Sequence, residues 1–275
     1  MASFYPDVYT PSPDQRPDGF LAKLQSFCEF QVFYRLAYAS QIRTVSRIAG
    51  LDQRRHTKLL DVGCGHGVRL RAFHQKGCEV EGADIDAGAV DYVRHKLGIP
   101  AIHCNLDSLS EHFAAESFDI VTAFYLLEHL VDVRSSLVAI HRLLRPGGWF
   151  FGAVPLIDST QAKWLKRRWL SVTEAPRHIS LPARQSLMEL MHNVGFEEQS
   201  LATHADSTLI CAAVAALSLL PQTSTTHMAT QGSVARIMAR FLAGGLAMAL
   251  LPWALADKYL LDTPSLAIVC GQKPF

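Results

Sequence analysis

Between Lys58 and Val154, short apolar runs alternate with stretches whose apolar residues recur at helical spacing. A parallel sheet covered by helices on both faces produces this alternation. It predicts strands at Lys58–Val62, Glu79–Ala83, Ala101–Cys104, Phe118–Phe124 and Trp149–Val154. Helices are predicted near Val68–Gln75, Ala87–Lys96, Ser108–Phe113 and Val133–Leu144. Pro146-Gly147-Gly148 reads as a turn before the fifth strand, because proline fixes one backbone angle and glycine takes the left-handed one. Beyond Pro155 the rhythm breaks, and Trp164, Trp169, Lys163, Lys166, Arg167 and Arg168 gather in a segment that reads as a cap. A helix over Ala183–Val194, stopped by Gly195, precedes strand character at Phe196–Ala202 and Ser265–Gly271. Upstream of the sheet, Phe20–Ile48 repeats apolar residues at helical spacing and predicts one or two helices over the site.

The expected fold is therefore α/β: a Rossmann-like, seven-stranded, mostly parallel sheet with helices on both faces. An N-terminal helical cover precedes it, and an apolar helical insert comes before the last strand. Residues 1–50 form the lead-in and cover, and residues 51–275 form the sheet domain, with a cap at 156–182 and the insert at 206–262. The lead-in Met1–Gly19 carries Asp7, Asp14 and Asp18 and lacks the basic start and apolar core of a secretory signal. Within the insert, Leu209–Pro221 and Phe241–Ala256 are strongly apolar, yet each falls short of the roughly 20 residues that span a bilayer. No transmembrane helix is expected.

Lys and Arg number 26 against 25 Asp and Glu, so the chain has no broad basic field of the kind that sequence-independent nucleic-acid binding requires. A small acceptor or a lipid fits better than nucleic acid. The six cysteines show neither a C-x-x-C pair nor a zinc spacing, and read as reduced thiols of a cytoplasmic protein.

The first strand ends in Asp61 and passes directly into Gly63-x-Gly65-x-Gly67 and then a helix. Glycines permit a tight turn and close backbone approach, and a helix start points free N–H groups at an anion. Dinucleotide enzymes place the third glycine one position later, where this chain has Val68. Asp84, at the end of the second strand, can accept both ribose hydroxyls of an adenosine moiety, while Asp86 is the better candidate to cap the following helix.

The segments Leu59–Gly67, Val80–Asp86, Ser117–Val121, Leu127–Leu130 and Arg142–Gly148 resemble successive motifs of class I S-adenosylmethionine-dependent methyltransferases. Trp169, Pro176-Arg177-His178 and Gly195-Phe196 extend the resemblance toward the branch related to quinone-biosynthesis O-methyltransferases. It covers roughly Lys58–Glu198, with the final strand beside it. The resemblance implies S-adenosylmethionine as cofactor, with Gly63, Cys64, Gly65 and Gly67 wrapping its methionine part and Asp84 on its ribose. It also implies Ile85 against the adenine, Asn105 and Leu106 at the adenine edge, and the backbone of Phe124 on the methionine ammonium. Many family members have Asp where Asn105 stands.

Methyl transfer from a sulfonium needs an in-line nucleophile and, for a hydroxyl acceptor, a base. His129 and His178 are the candidates; a loop-carbonyl hydrogen bond and cap packing are their structural alternatives. Some quinone O-methylating relatives show Glu-x-x-Glu-His here, a cluster suited to a divalent metal. This chain has Tyr125 for the first acid, so no metal is expected. The apolar insert is readable as a lid over the protein's own sheet, as a contact with the membrane interface, or as a dimer contact. The expectation is an O-methyltransferase of a hydrophobic small molecule, such as a quinone precursor, a lipid-linked intermediate or an aromatic natural product. N- or C-methylation on the same fold, or a catalytically silent cofactor-binding partner protein, are the alternatives.

Overall fold

The structure is a computed structural model that describes residues 35–53, 56–206, 208–219, 234–256 and 262–275. The expected helical pattern before residue 35 lies outside the described residues. Helix α1 (Arg35–Ala49) leads into strand β1 (Lys58–Val62), helix α2 (Val68–Gln75) and strand β2 (Glu79–Asp84). Then come α3 (Ala87–Tyr92), β3 (Ala101–His103), the single turn α4 (Leu109–His112) and β4 (Phe118–Phe124). Helix α5 (Val133–Leu143) runs straight into β5 (Leu144–Pro155). The cap holds α6 (Thr160–Leu165) and α7 (Leu170–Thr173), and is followed by α8 (Arg184–Val194) and β6 (Ala202–Ala205). The insert contributes α9 (Thr208–Leu219) and α10 (Val234–Ala256) before β7 (Leu266–Gln272).

The seven strands form one sheet in the order β3-β2-β1-β4-β5-β7-β6. Strands β1 to β5 are parallel, and β7 is antiparallel to both β5 and β6. Successive side chains of the central strands face opposite layers, as strand geometry requires. Leu60 and Val121 pack with Leu137 and Ile140 of α5 and with Leu187 and Met191 of α8. Leu59 and Ile120 pack with Val45 of α1, Leu70 and Phe73 of α2, and Val90 of α3. Burial on both faces explains why these strands read as continuous apolar runs.

Most predicted boundaries hold to within a residue or two, with three differences. Pro146-Gly147-Gly148 is a bulge inside β5, which begins at Leu144: the register against β4 slips between Phe118 and Ile120, and Gly147 takes a φ of 72°. A Cβ at Gly147 would meet the Phe275 ring at 2.5 Å. The helix expected to Lys96 changes at Val93–Leu97 into a wider turn and stops at Gly98 in the left-handed region. Strand character expected from Phe196 starts only at Ala202, because the Phe196 N–H closes the end of α8 on the Met191 carbonyl and its ring is buried. Glu198–Ser200 then forms a helical turn.

Helices α9 and α10 pack through small residues, with Cys211, Ala212, Ala216, Ala247 and Ala254 buried together beside Leu266 of β7. The α9 end is also tied to the cap. Gln161 donates to the Cys211 carbonyl at 2.8 Å, and the Leu170 N–H donates to Ser218 Oγ at 2.8 Å. Among the described residues, no helix is long and apolar enough to cross a membrane. The described cysteines, Cys64, Cys78, Cys104, Cys211 and Cys270, are free thiols.

Candidate active site

Strands β3, β2, β1 and β4 are adjacent and parallel, so their carboxyl ends form one continuous edge. From β1 the chain runs outward to β2 and β3 and then crosses back to β4 on the other side of β1, and ligands of such sheets bind at this switch point. Asp61, Asp84, Asn105 and Phe124 all stand at or just beyond that edge. The structure thus brings together the cofactor residues predicted from the sequence.

The loop after β1 is pinned to β2: the N–H groups of Gly63 and Cys64 donate to the Ala83 carbonyl at 2.8 and 3.2 Å. Gly65 takes a φ of 50°, and a Cβ there would meet nothing within 4 Å, so the loop presents open space to a ligand. At Gly67, with φ 72°, a Cβ would press on Leu97 and Val93 at 2.8 and 2.9 Å. Asp84 Oδ2 accepts from the Gly65 N–H at 2.7 Å and Oδ1 accepts from the Asp86 N–H at 2.8 Å. A carboxylate has lone pairs beyond these two, so ribose hydroxyls can share it. Asp86 caps α3, accepting from the N–H groups of Gly88 and Ala89. Ile85 is 55% exposed beside Asp84, a flat apolar surface suited to a base.

Asn105 uses its side-chain oxygen to accept from the Ser108 N–H at 2.9 Å, capping the turn Leu106–Ser108, while Leu106 packs against the core. Cys64 is buried, and burial pushes its thiol well above the usual range, which suits a packing role. Asp61 is buried; its Oδ1 accepts from Thr122 Oγ1 at 2.6 Å, and its Oδ2 has no hydrogen-bond partner. Burial pushes its carboxyl up to about 6 against the opposing pull of Arg69. An orphaned carboxylate oxygen beside the loop, open space at Gly65 and the exposed Ile85 match what an adenosyl amino acid offers: an ammonium, a backbone-sized gap and a base. The residues fit the group.

Just past β4, Tyr125 adopts a φ of 56° and turns the chain into Leu127–His129. Glu128 and His129 are buried, and His178 arrives from the cap. The two imidazoles lie 4.9 Å apart between ring centres. Each engages Nδ1 with a carbonyl, His129 with Arg177 at 3.0 Å and His178 with Ser171 at 2.8 Å. With Nδ1 protonated to donate, the lone pair of each neutral ring sits on Nε2. Burial pushes His129 down to about 4 and lowers His178 as well. The Glu128 carbonyl accepts from the N–H groups of Ile179 and Ser180, which fastens the cap to the turn. Its Oε2 has no partner, and burial pushes the carboxyl up to about 8. One ligand atom each from Glu128, His129 and His178 lies within 4.8 Å of the others, a grouping that could also surround a metal ion.

Four residues here escaped the sequence reading as site residues: Gln41, Arg69, Tyr125 and Asp206. Gln41 donates to Asp206 Oδ2 at 2.8 Å, and Arg69 Nε donates to Gln41 Oε1 at 3.0 Å. The Tyr125 hydroxyl bonds Asp206. An arginine two positions beyond the glycine triplet was the available signal.

A seven-stranded sheet of this order with a glycine loop after β1 defines a Rossmann-like methyltransferase fold. A model of the methyltransferase domain family matches residues 30–201, and the chain belongs to that family. The ubiquinone biosynthesis O-methyltransferase of Paracidovorax citrulli is 38% identical over 110 residues, covering 38% of this chain and 46% of that protein. Its namesake in Photorhabdus laumondii subsp. laumondii is 31% identical over 142 residues, 50% of this chain and 57% of that protein. The chain thus spans about half the length of the curated relatives it matches. Among solved structures, a SAM-dependent methyltransferase from Archaeoglobus fulgidus superposes with a TM-score of 0.57 at 14% identity, covering 91% of this chain and 99% of that one. Phosphoethanolamine N-methyltransferase 2 of Haemonchus contortus, in complex with S-adenosyl-L-methionine, gives 0.59 at 17% identity, covering 94% of this chain and 61% of that one. At these identities the likeness is one of fold.

Proposed function

We propose that this chain is an S-adenosylmethionine-dependent O-methyltransferase of a hydrophobic small molecule, such as a quinone precursor, a lipid-linked intermediate or an aromatic natural product. The observation that carries the reading is the Asp84 carboxylate bonded to Gly65 of the glycine loop, with Ile85 exposed beside it. The similarity to quinone O-methylating relatives supports oxygen as the methylated atom. The cofactor supplies an electrophilic methyl group on a sulfonium. Gly63, Cys64, Gly65 and Gly67 shape its pocket, Asp61 and the Phe124 backbone face its ammonium, Asp84 its ribose, and Ile85, Asn105 and Leu106 its adenine. His129, with His178 beside it, receives the proton of the acceptor hydroxyl on Nε2. The reading is metal-free: Tyr125 replaces the first acid of the relatives' cluster and engages its hydroxyl with Asp206.

The insert packs against Tyr125 through the α9–α10 cluster, which supports a lid whose apolar lining selects apolar acceptors. Its outer face carries exposed Met248 and Leu255, and Trp164 meets Trp253 at 5.7 Å beside the exposed Lys163, Lys166 and Arg167. These residues support contact of the same face with an anionic membrane surface. The test is incubation of the purified protein with methyl-labelled S-adenosylmethionine and an apolar metabolite extract, with and without EDTA. A labelled ether product, unchanged by EDTA and lost in His129→Ala, is expected. Label on nitrogen or carbon, or none at all, overturns the reading.

A further inference from the structure

Arg69, the second residue of α2, holds its guanidinium in a cage of three rings. The guanidinium carbon lies 4.8 Å from the ring centres of Tyr38 and Phe124 and 5.7 Å from that of Tyr125. Its Nε is committed to Gln41 Oε1. Gln41 is itself fully buried and locked by Asp206 Oδ2 and the Tyr125 hydroxyl. Among the described residues no carboxylate forms an ion pair with Arg69, and no acceptor bonds its two terminal nitrogens. The stem is fixed from three sides, and the donor fork is left to a ligand. An arginine fork is shaped to grip a carboxylate with two parallel hydrogen bonds.

The cage lies between the start of α2 and the end of β4, whereas the groups suited to an adenosine lie at the end of β2. A ligand whose base lies on Ile85 and whose ribose meets Asp84 therefore brings its amino-acid end toward Arg69. We infer that Arg69 takes the α-carboxylate of S-adenosylmethionine, and that this pairing makes the site discriminate against cofactors lacking that group. The inference rests on the cofactor reading above. Asp61, whose Oδ2 is unpartnered and whose carboxyl feels the pull of Arg69, would then take the adjoining ammonium, so that both charges of the amino acid are met.

The test is calorimetric titration of the purified protein with S-adenosylmethionine and with its decarboxylated form, which keeps the sulfonium and the amine. The wild type is expected to prefer the full cofactor by about ten- to hundredfold, the worth of hydrogen bonds between charged groups. Arg69→Met should bring the two affinities within about threefold by weakening only the full cofactor, since the decarboxylated form never used the fork. Arg69→Lys keeps the charge without the fork and should retain an intermediate preference. Equal affinities in the wild type overturn the inference without touching the cofactor reading. A loss in Arg69→Met that is the same for both ligands also overturns it and assigns Arg69 to packing. Should Arg69→Met fail to fold, the wild-type ratio and the Arg69→Lys ratio decide. Failure of the wild type to bind either ligand removes the cofactor reading, and this inference with it.

Discussion

Tyr125, just past β4, shares a hydrogen bond with Asp206, the residue from which the apolar insert departs, across 81 positions of sequence. Both also meet the amide of Gln41 on α1. One phenol thus joins the sheet's ligand edge, the insert and the N-terminal helix, while its ring forms part of the Arg69 cage.

Replacing Tyr125 with Phe keeps the ring and removes the hydroxyl. Stranding buried partners costs about 1 to 3 kcal/mol, so urea unfolding should show a loss of that size. Affinity for S-adenosylhomocysteine should stay unchanged, because the ring over Arg69 remains. An unaltered unfolding midpoint would mean that the bond contributes nothing to holding the insert.

Asp84→Ala removes the acceptor for the Gly65 and Asp86 N–H groups and for the ribose. Cofactor affinity should fall by about 1 to 3 kcal/mol while the fold survives. Equilibrium dialysis with labelled S-adenosylhomocysteine measures it; an unchanged dissociation constant in a folded variant would assign the ribose to another acid.

Glu128 gives a pH signature. Its carboxyl is raised from 4.5 in the free state to about 8, so the protonated form is the one the fold favours. The associated stability is fully present below about pH 4.5 and is lost as pH rises through about 8. Glu128→Gln cannot ionise, so its stability relative to wild type should climb across that window, by at most about 1.4 kcal/mol per pH unit. Denaturant midpoints of both proteins at a series of pH values test this, and parallel curves would refute it.

Leu246 and Leu250 of α10 are half-buried against the α9 side of the insert. Replacing both with Ser removes roughly 1.5 to 3 kcal/mol of apolar burial at most per residue. Cofactor affinity should persist and methyl transfer to an apolar acceptor should fall, with a thermal melt confirming that the sheet is intact. Unchanged turnover in the folded variant would separate the insert from acceptor binding.

The central strands and the cofactor loop were legible because a buried parallel strand leaves an unbroken apolar run, and Gly63, Gly65 and Gly67 sit directly after one. Phe196 misled: it is apolar and follows Gly195, yet its backbone finishes a helix and its ring fills the core, which a local pattern does not distinguish from a strand start. The Arg69 cage was not legible, because Tyr38 comes from α1 and Phe124 and Tyr125 from the end of β4 and just past it, and they meet around Arg69 only in the fold. Tyr125 is legible in the sequence as a missing acid, whereas its role comes from partners on two other elements. Glu128 was visible beside His129, but its buried, unpartnered oxygen depends on how the cap closes over it.

Strand β7 lies between β5 and β6, yet follows the insert in the chain, and it pairs with β5 along seven residues and with β6 along four. The chain thus leaves β6 into α9 and returns from α10 into a strand that is held on both sides within the sheet. A protease that cuts between those helices severs the backbone without releasing either piece, because the downstream fragment is hydrogen-bonded into the sheet on both sides. Such a nicked molecule would travel as one particle through a native sizing column and part into two bands only when denatured.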